Sequence, residues 1–228
     1  MKAHCLFEQS GTFKNEFKKL GYEAYDYDIQ NEYEQTDYVC DLFAEIRGGY
    51  DNKPSIFDKM KPDDLILAFF PCTRFEAQIL LWFRGDAKQL KKFTDIEKLE
   101  KCLSLHKELS NNYELIPKLA IIILKRGLRM VFENPYSVQH YLTKYWCLKP
   151  SLIDQDRTEN GDYFKKPTQY WFIGFEPKNN LVFEALEYVE PIKQIDLWGT
   201  KKEDVAMRSM IHPQYANRFI RQYLIDEE

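Results

Sequence analysis

Two short apolar runs constrain the fold of this chain more than any other feature. The segment DLILAFF (64–70) is hydrophobic at every position after its aspartate, and LRMVFENP (128–135) contains the uninterrupted apolar run MVF (130–132), rather than an apolar residue at every second position. A strand that is buried on both faces has this pattern, and such strands occur in parallel sheets covered by helices on both sides. We therefore predict an α/β fold with a mostly parallel sheet and helices on both faces.

The other segments alternate between strand-like and helix-like patterns, which supports the same fold class. Gly21 and Pro213 are helix boundary signals, the first as a stop and the second as a start. The first half of the chain is predicted to contain a strand AHCLF (3–7), a helix FKNEFKKLG (13–21), a strand YEAYDYDI (22–29), a third apolar strand segment YVCDLFAEI (38–46), a loop RGGYDNKPS (47–55) and a short helix around IFDKM (56–60). A mainly helical insert follows at about 76–127, broken at Gly85 and Pro117. The last predicted elements are a strand QYWFIGF (169–175) and a terminal helix from Pro213.

Composition limits the class of protein. The 228 residues are 44% hydrophobic and 15% aromatic, which is enough for a full core in one domain or at most two small ones. No apolar run approaches the roughly 18 residues of a membrane span, and no secretory signal is visible, so we expect a cytoplasmic protein without a membrane partner. The net charge of -4 does not suggest a strong autonomous nucleic-acid binder. The five cysteines are odd in number and lack a C-x-x-C pair, which argues against disulfides and a metal site.

Ligands of parallel sheets bind where the strands end at their carboxyl termini, so the residues at those ends are the candidates. The turn Glu8–Thr12 and the carboxylates Asp26 and Asp28 are what a nucleoside-bearing cofactor requires, namely close backbone approach and an acceptor for ribose hydroxyls. Taken alone, the turn is equally an ordinary strand-to-helix connection, and the two aspartates are equally solvated surface residues.

A thiol and a carboxyl group follow the two apolar strands. Cys72 stands beside Pro71 where it can project into a cleft, and Arg74 could favour its thiolate form, although a free cysteine is more often buried packing. Glu133 emerges from a buried strand, where desolvation raises a pKa and allows proton donation. The alternative for Glu133 is a capping or salt-bridging role.

The order of these features along the chain resembles the catalytic domain of the DNA cytosine carbon-5 methyltransferases. The matching segments are LFEQSGTF (6–13), DYD (26–28), FFPCTRF (69–75) and FENP (132–135). The resemblance implies a Rossmann-like S-adenosylmethionine-dependent methyltransferase fold, with one catalytic domain over residues 1–228. It also associates the chain with DNA methylation, restriction–modification, and phage or other mobile elements.

The resemblance implies a binding site for S-adenosylmethionine. Phe7, Gln9 and Gly11 take the places of the family's F-x-G-x-G turn, with Gln9 in place of the first glycine. Asp26, with Asp28 beside it, would bind the ribose, and Asp41 the adenine. The implied cofactor-binding residues are Phe7, Glu8, Gln9, Ser10, Gly11, Thr12, Asp26, Asp28, Asp41 and Phe70.

The catalytic residues implied by the resemblance are Pro71, Cys72, Glu133 and Asn134. Here Pro71-Cys72 matches the family's Pro-Cys dipeptide and Glu133-Asn134 its Glu-Asn-Val, with Pro135 in place of valine. The Cys72 thiolate would add to carbon 6 of a cytosine flipped out of DNA, while Glu133 acts at ring nitrogen 3 and the methyl group goes to carbon 5. Asn134 would hold the loop, and Pro71 would fix the approach of the thiolate.

The substrate-binding part departs from the family. Lys165, Lys166 and Thr168 stand where the family has a Gln-x-Arg-x-Arg strand, with Arg74 or Arg157 as further cations. The recognition region is reduced to about 176–200, so a partner subunit for target recognition stays an open question. Two other functions stay open as well: methylation of a free pyrimidine nucleotide or another nucleic acid, and a non-catalytic, methyltransferase-like binding protein.

Overall fold

The computed structural model describes residues 1–192, 207 and 209–226. Within them, one seven-stranded sheet has the strand order β3-β2-β1-β4-β5-β7-β6. The strands β1 to β7 are Lys2–Leu6, Glu23–Asp28, Tyr38–Val39, Leu65–Ala68, Arg129–Pro135, Leu152–Asp154 and Thr168–Ile173. No helix in this part of the chain has both the length and the apolar character needed to span a membrane.

Strands β1 to β5 are mutually parallel, whereas β7 is antiparallel to both β5 and β6. The chain first moves from β1 outward through β2 to β3 and then returns to β4 on the other side of β1. This reversal between β1 and β4 is the topological switch point at which open α/β sheets bind ligands. The predicted α/β class with a mostly parallel sheet is confirmed, and the order is compatible with a Rossmann-like fold.

Helices cover both faces of the sheet, as predicted. The α-helices α1 to α6 are Thr12–Lys19, Leu42–Tyr50, Leu80–Phe83, Asp95–Lys125, Tyr141–Tyr145 and Pro213–Tyr223. Short 3-10 helices span Ile56–Lys59, Ala77–Ile79, Lys88–Lys92 and Arg157–Asn160. Helices α2 and α4 pack on the face that carries Ile66 and Ala68, and α1 and α6 pack on the face that carries Leu65 and Leu67. Because successive residues of β4 enter two different cores, the whole strand is apolar.

The predicted break at Pro117 is wrong, because helix α4 continues through it without interruption. Proline inside a helix removes a hydrogen bond and costs about 3 kcal/mol. The buried side chains on either side of it, Ile116 and Leu119 among them, pack into the core and offset this cost. A capping box of Thr94 and Glu97 fixes the start of the helix.

The strand predicted over 38–46 is wrong beyond Val39, because helix α2 occupies Leu42–Tyr50 and takes in the first part of the predicted loop 47–55. The two glycines favour a loop by propensity, but Gly49 lies against neighbouring elements. A Cβ atom at Gly49 would come within 3.1 Å of Phe57 and 3.3 Å of Ile122. The glycine therefore allows the helix to pack closely. The third strand is only Tyr38–Val39, and Asp41 is the residue that begins α2.

Candidate active site

Four strands bring their ends to one place at the carboxyl edge of the parallel sheet. Ala68, the last residue of β4, pairs with Phe132 of β5, so the loop after β4 lies beside the end of β5. Thr168, the first residue of the antiparallel strand β7, pairs with Pro135 of β5 and with Asp154 at the end of β6. The segments around Cys72, Glu133 and Lys166 therefore meet at this edge.

Cys72 lies in the loop after β4. Its Sγ donates a hydrogen bond to Glu76 Oε1 at 2.9 Å, and its carbonyl accepts one from the amide of Phe75 at 2.8 Å. Burial raises the pKa of the Cys72 thiol, Lys166 opposes this shift, and the carboxylates Glu76 and Glu133 add to it. The ligand-free site therefore holds a protonated thiol rather than a thiolate.

Glu133 lies in β5, two residues before the strand ends. Its Oε1 is buried and accepts no hydrogen bond from the residues that the structure describes. Burial raises the pKa of Glu133, and the cations Lys166 and Arg157 partly oppose this shift. A carboxyl group in such surroundings can donate a proton or a hydrogen bond at neutral pH.

Asn134 joins the ends of β4 and β5. It is fully buried, and its Nδ2 donates to the carbonyl of Phe70 at 2.9 Å and to that of Glu133 at 2.9 Å. The loop that carries Pro71 and Cys72 is thus fixed to the strand that carries Glu133. The Oδ1 of Asn134 is a second buried oxygen at this edge without a partner among the described residues.

Arg74 is not placed as the sequence suggests. Its guanidinium binds Glu108 of helix α4 at 2.6 Å, so the cation is neutralised away from the thiol. Glu76 faces the Cys72 thiol instead, and sequence reasoning missed this residue. The sequence indicates Glu76 only through its position four residues after Cys72. That spacing brings the two side chains together because the chain turns at Phe75.

The two predicted lysines separate in the structure. Lys166 acts electrostatically on both Cys72 and Glu133. Lys165 is 75% exposed at its side chain and pairs with Asp156 at 3.0 Å. Thr168 is fully buried, and its hydroxyl donates to the carbonyl of Lys166 at 2.9 Å. Thr168 therefore shapes the turn that presents Lys166.

Arg157 is the buried cation of this edge. It pairs with Asp162, both side chains being almost fully buried, and its guanidinium lies 4.8 Å from the ring centre of Tyr215. Its charge reaches Glu133 and favours the ionised carboxylate. Of the two further arginines that the sequence offers, Arg157 is thus the one that influences the candidate acid.

Aromatic side chains fill the switch point between β1 and β4. Phe7 follows β1 and has a φ of 61°, a left-handed conformation that is uncommon for a bulky residue. Its ring lies 5.1 Å from that of Phe70 and 5.9 Å from that of Phe43. Strained backbone of this kind is concentrated at functional sites. Phe7 and Phe70, both predicted for the cofactor site, are brought together here.

The turn Glu8–Thr12 forms the start of helix α1. Glu8 is buried and accepts hydrogen bonds from the amides of Phe13 at 2.7 Å and Lys14 at 3.3 Å. Burial raises the pKa of Glu8 to about 7, against the effect of those amides. The side chain therefore caps the start of helix α1. The hydroxyls of Ser10 and Thr12 lie 3.1 Å apart.

Gly11 allows the turn to close. Its φ is 66°, and a Cβ atom there would meet Lys14 at 3.2 Å and Gln35 at 3.4 Å. Gln9 occupies the other end of the turn, and its Nε2 donates to Gln30 Oε1 at 2.9 Å. The Gln9 side chain thus connects the loops that follow β1 and β2. Its Oε1 is buried without a partner among the described residues.

The structure corrects the choice between the two aspartates of β2. Asp26 is fully buried, pairs with Lys14 at 3.0 Å and accepts a hydrogen bond from the Asp37 amide at 2.7 Å. Its carboxylate is therefore committed to internal partners. Asp28 is half-buried at the strand end, accepts from the Gln30 amide at 2.8 Å, and has a pKa raised by burial. Asp28 is the carboxylate of β2 that a ligand can reach.

Asp41 begins helix α2, where its Oδ1 accepts from the amides of Phe43 at 2.9 Å and Ala44 at 3.2 Å. It is exposed and follows the short strand β3. It therefore shares the carboxyl edge with Asp28 but serves the helix as its N-cap.

Two surface pockets flank this edge without containing Cys72 or Glu133. A pocket of about 160 Å³ lies between β6 and α6, lined by residues that include Asp154, Asp156 and Arg218. A smaller one of about 50 Å³ lies beside Arg74 and Phe75. No group of three metal-ligating side chains occurs in the described part of the chain.

The sequence was also compared with known proteins. No family model matches the chain, and no curated protein is similar to it. Its function therefore has to be inferred from the residues of the site.

Proposed function

We propose that this chain is an S-adenosylmethionine-dependent methyltransferase, with a Rossmann-like methyltransferase fold, that modifies carbon 5 of cytosine in DNA. One observation carries the proposal. The Cys72 thiol and a buried oxygen of Glu133, which has no hydrogen-bond partner among the described residues, lie at the ends of two neighbouring parallel strands. Buried polar atoms are nearly always paired, so an unpaired one in such a place supports a substrate contact.

The residues after β1 and β2 fit the cofactor. Gly11 has a φ of 66° and lets the chain turn tightly after β1, which is the kind of turn that a nucleoside-bearing ligand requires. Asp28 offers a reachable carboxylate for ribose hydroxyls, and the buried Gln9 Oε1 offers an acceptor that has no partner among the described residues. We therefore assign cofactor binding to this turn, to Phe7 and to Asp28. When bound, S-adenosylmethionine supplies an electrophilic methyl group for carbon 5.

The chain's own groups activate the base. The sulfur of Cys72 forms a bond to carbon 6, which moves the ring electrons toward nitrogen 3, and Glu133 gives its proton to that nitrogen. Carbon 5 thereby becomes nucleophilic, and the later loss of its proton expels the sulfur. Asn134 donates a hydrogen bond to the Phe70 carbonyl and so holds the loop of Cys72 beside β5, which keeps the two reacting side chains in position. Because a stacked base cannot reach the thiol, the cytosine has to be flipped out of the duplex.

The test uses a DNA duplex that contains 5-fluorocytosine. Fluorine at carbon 5 cannot leave as a proton, so the bond between sulfur and carbon 6 persists and intact mass reveals it. We expect an adduct with the wild type in the presence of S-adenosylmethionine, none with Cys72→Ala, and an undiminished one with Cys147→Ala, which removes an exposed thiol. An adduct that survives Cys72→Ala would refute the assigned nucleophile. Its absence in the wild type, with cofactor binding demonstrated, would refute the DNA substrate.

A free pyrimidine nucleotide is the second candidate substrate. Residues 176–192, the described part of the predicted recognition region, contain neither helix nor strand, and residues 193–200 lie outside the described chain. The net charge of -4 also fits a small substrate better than a polyanion. Transfer of a labelled methyl group to deoxycytidine nucleotides, undiminished by excess duplex DNA, would favour this candidate.

A further inference from the structure

The thiol of the candidate nucleophile Cys72 is hydrogen-bonded to the carboxylate of Glu76. The thiol is the donor and Glu76 Oε1 the acceptor, at 2.9 Å. Two backbone hydrogen bonds hold the turn between them, from the Phe75 amide to the Cys72 carbonyl at 2.8 Å and from the Tyr141 amide to the Phe75 carbonyl at 2.8 Å. The pairing is therefore built into the fold of the loop.

The nearby cations leave this pair without a preformed thiolate. Arg74 is bound to Glu108, and Lys165 is bound to Asp156. Only Lys166 among the charged groups that act on Cys72 favours ionisation, while burial and the carboxylates Glu76 and Glu133 oppose it. Since the thiolate is the nucleophilic form of cysteine, the proton has to be taken up during the reaction.

We propose that the Glu76 carboxylate is the catalytic base that accepts the Cys72 proton as the sulfur adds to the pyrimidine. This step rests on the proposed function. The S–H bond breaks and the proton goes to Glu76 Oε1, while the sulfur electron pair forms the bond to carbon 6. The displaced ring electrons end on nitrogen 3, which takes a proton from Glu133. When carbon 5 loses its proton to solvent water, the ring electrons expel the sulfur, the proton on nitrogen 3 returns to Glu133, and Glu76 returns its proton to the sulfur, so both carboxyl groups regain their starting states.

The first test measures adduct formation on 5-fluorocytosine DNA against pH. Removing a general base costs about 10²- to 10⁴-fold, so we expect Glu76→Gln to form the adduct at least about 100-fold more slowly near pH 7. Its rate should rise with pH as the thiolate fraction grows, whereas the wild-type rate should change little. Glu76→Asp should recover part of the rate. Glu114→Gln, which removes a surface carboxylate paired with Lys118, should behave as the wild type.

The second test needs no substrate and follows alkylation of Cys72 by iodoacetamide, with the modified peptide identified by mass. The rate of alkylation rises with pH as the thiol ionises, and the pH at half of the maximal rate is the midpoint. Replacing Glu76 by glutamine removes a negative acceptor, so this midpoint should move to lower pH by about one unit or more. Faster alkylation together with slower adduct formation in Glu76→Gln would identify Glu76 as a base, because the loss of a merely structural residue would not cause both changes. An unchanged midpoint, or an adduct rate within about threefold of wild type, would overturn the proposal. If the wild type forms no adduct, the proposed function fails, and the alkylation midpoint alone decides whether Glu76 holds the thiol proton.

Discussion

Three carboxyl groups at the same edge of the sheet share one physical condition and differ in their partners. Burial raises the pKa of Glu8 after β1, of Asp26 in β2 and of Glu133 in β5. Glu8 is bound by two backbone amides. Asp26 accepts from the Asp37 amide through Oδ1, and its Oδ2, which has no hydrogen bond from a described residue, is held at 3.0 Å by the charge of Lys14. Glu133 retains a buried oxygen that no described residue satisfies.

This difference distinguishes the carboxyl groups that stabilise the fold from the one that can bind a substrate. A buried carboxylate with complete partners holds elements together, and removing it leaves those partners unsatisfied. A buried carboxyl oxygen without a partner contributes an unfavourable term to folding, which a ligand can relieve. On the β1 and β2 side, Glu8 and Asp26 therefore stabilise the fold, whereas on the β4 and β5 side Glu133 keeps an oxygen that a substrate can bind.

The largest expected effect compares Asp26→Ala with Glu133→Gln. Loss of Asp26 leaves the buried Lys14 ammonium with the carbonyl of Gln35 and with Asp37 at 3.4 Å, and breaking a buried ion pair costs about 3–5 kcal/mol. Glu133→Gln should change the free energy of unfolding by less than about 1 kcal/mol, because Glu133 Oε1 has no hydrogen bond to a described residue that could be lost. Urea unfolding measures both. Equal losses in the two variants would remove the distinction between the two sides.

The next effect is the pH dependence contributed by Glu8. Its folded pKa of about 7 lies above its ordinary value of 4.5, so the native state binds more protons between these values and stability falls as pH rises through this window. The difference amounts to about 3 kcal/mol. Glu8→Gln keeps an acceptor for the Phe13 amide, gives up the longer hydrogen bond from the Lys14 amide, and removes the titration. Relative to this variant, the wild type should lose that amount between pH 4.5 and 7.5 in urea unfolding.

A smaller effect is expected at Asn134, which connects the two sides of the candidate active site. Asn134→Ala removes the hydrogen bond to the Phe70 carbonyl and should cost about 1–2 kcal/mol. It should also speed alkylation of Cys72 in the folded protein, because the loop loses its tether. Asn217→Ala is the matched control, since its amide bonds Glu16 on the opposite face. A slower or unchanged alkylation in Asn134→Ala would show that the loop is held by other contacts.

Much of the sheet could be predicted from the sequence, because strands buried on both faces are apolar throughout. The segment 64–70 led directly to β4 and to the position of Cys72 at its end. Strand β6 could not be predicted in this way, because its three residues are only half-buried and alternate in exposure. Pro117 misled because local propensity yields to the packing of α4.

The roles of the charged residues were harder to predict from the sequence than the strands. Whether Asp26 or Asp28 is reachable depends on Lys14, which arrives from a different element, helix α1. Arg74 and Glu76 stand two residues apart, yet one turns to helix α4 and the other to the thiol. Such partners depend on where distant segments pack, and spacing along the chain does not encode that directly.

The smallest effect on stability is expected at Gln9, and it tests whether the β1 and β2 side has room for a ligand. Gln9→Ala removes an exposed hydrogen bond to Gln30 and should change the free energy of unfolding by less than about 0.5 kcal/mol. If the Gln9 side chain occupies space above the turn, S-adenosylhomocysteine should raise the melting temperature of this variant more than that of the wild type. Gln30→Ala breaks the same hydrogen bond and leaves the Gln9 side chain in place. If S-adenosylhomocysteine raises the melting temperature of both variants more than that of the wild type, and by the same amount, the lost Gln9–Gln30 hydrogen bond is the cause. If only Gln9→Ala shows the larger rise, the Gln9 side chain itself is the cause. No gain in either, together with an unchanged shift in Asp28→Ala, would mean that the cofactor does not bind at the end of β2.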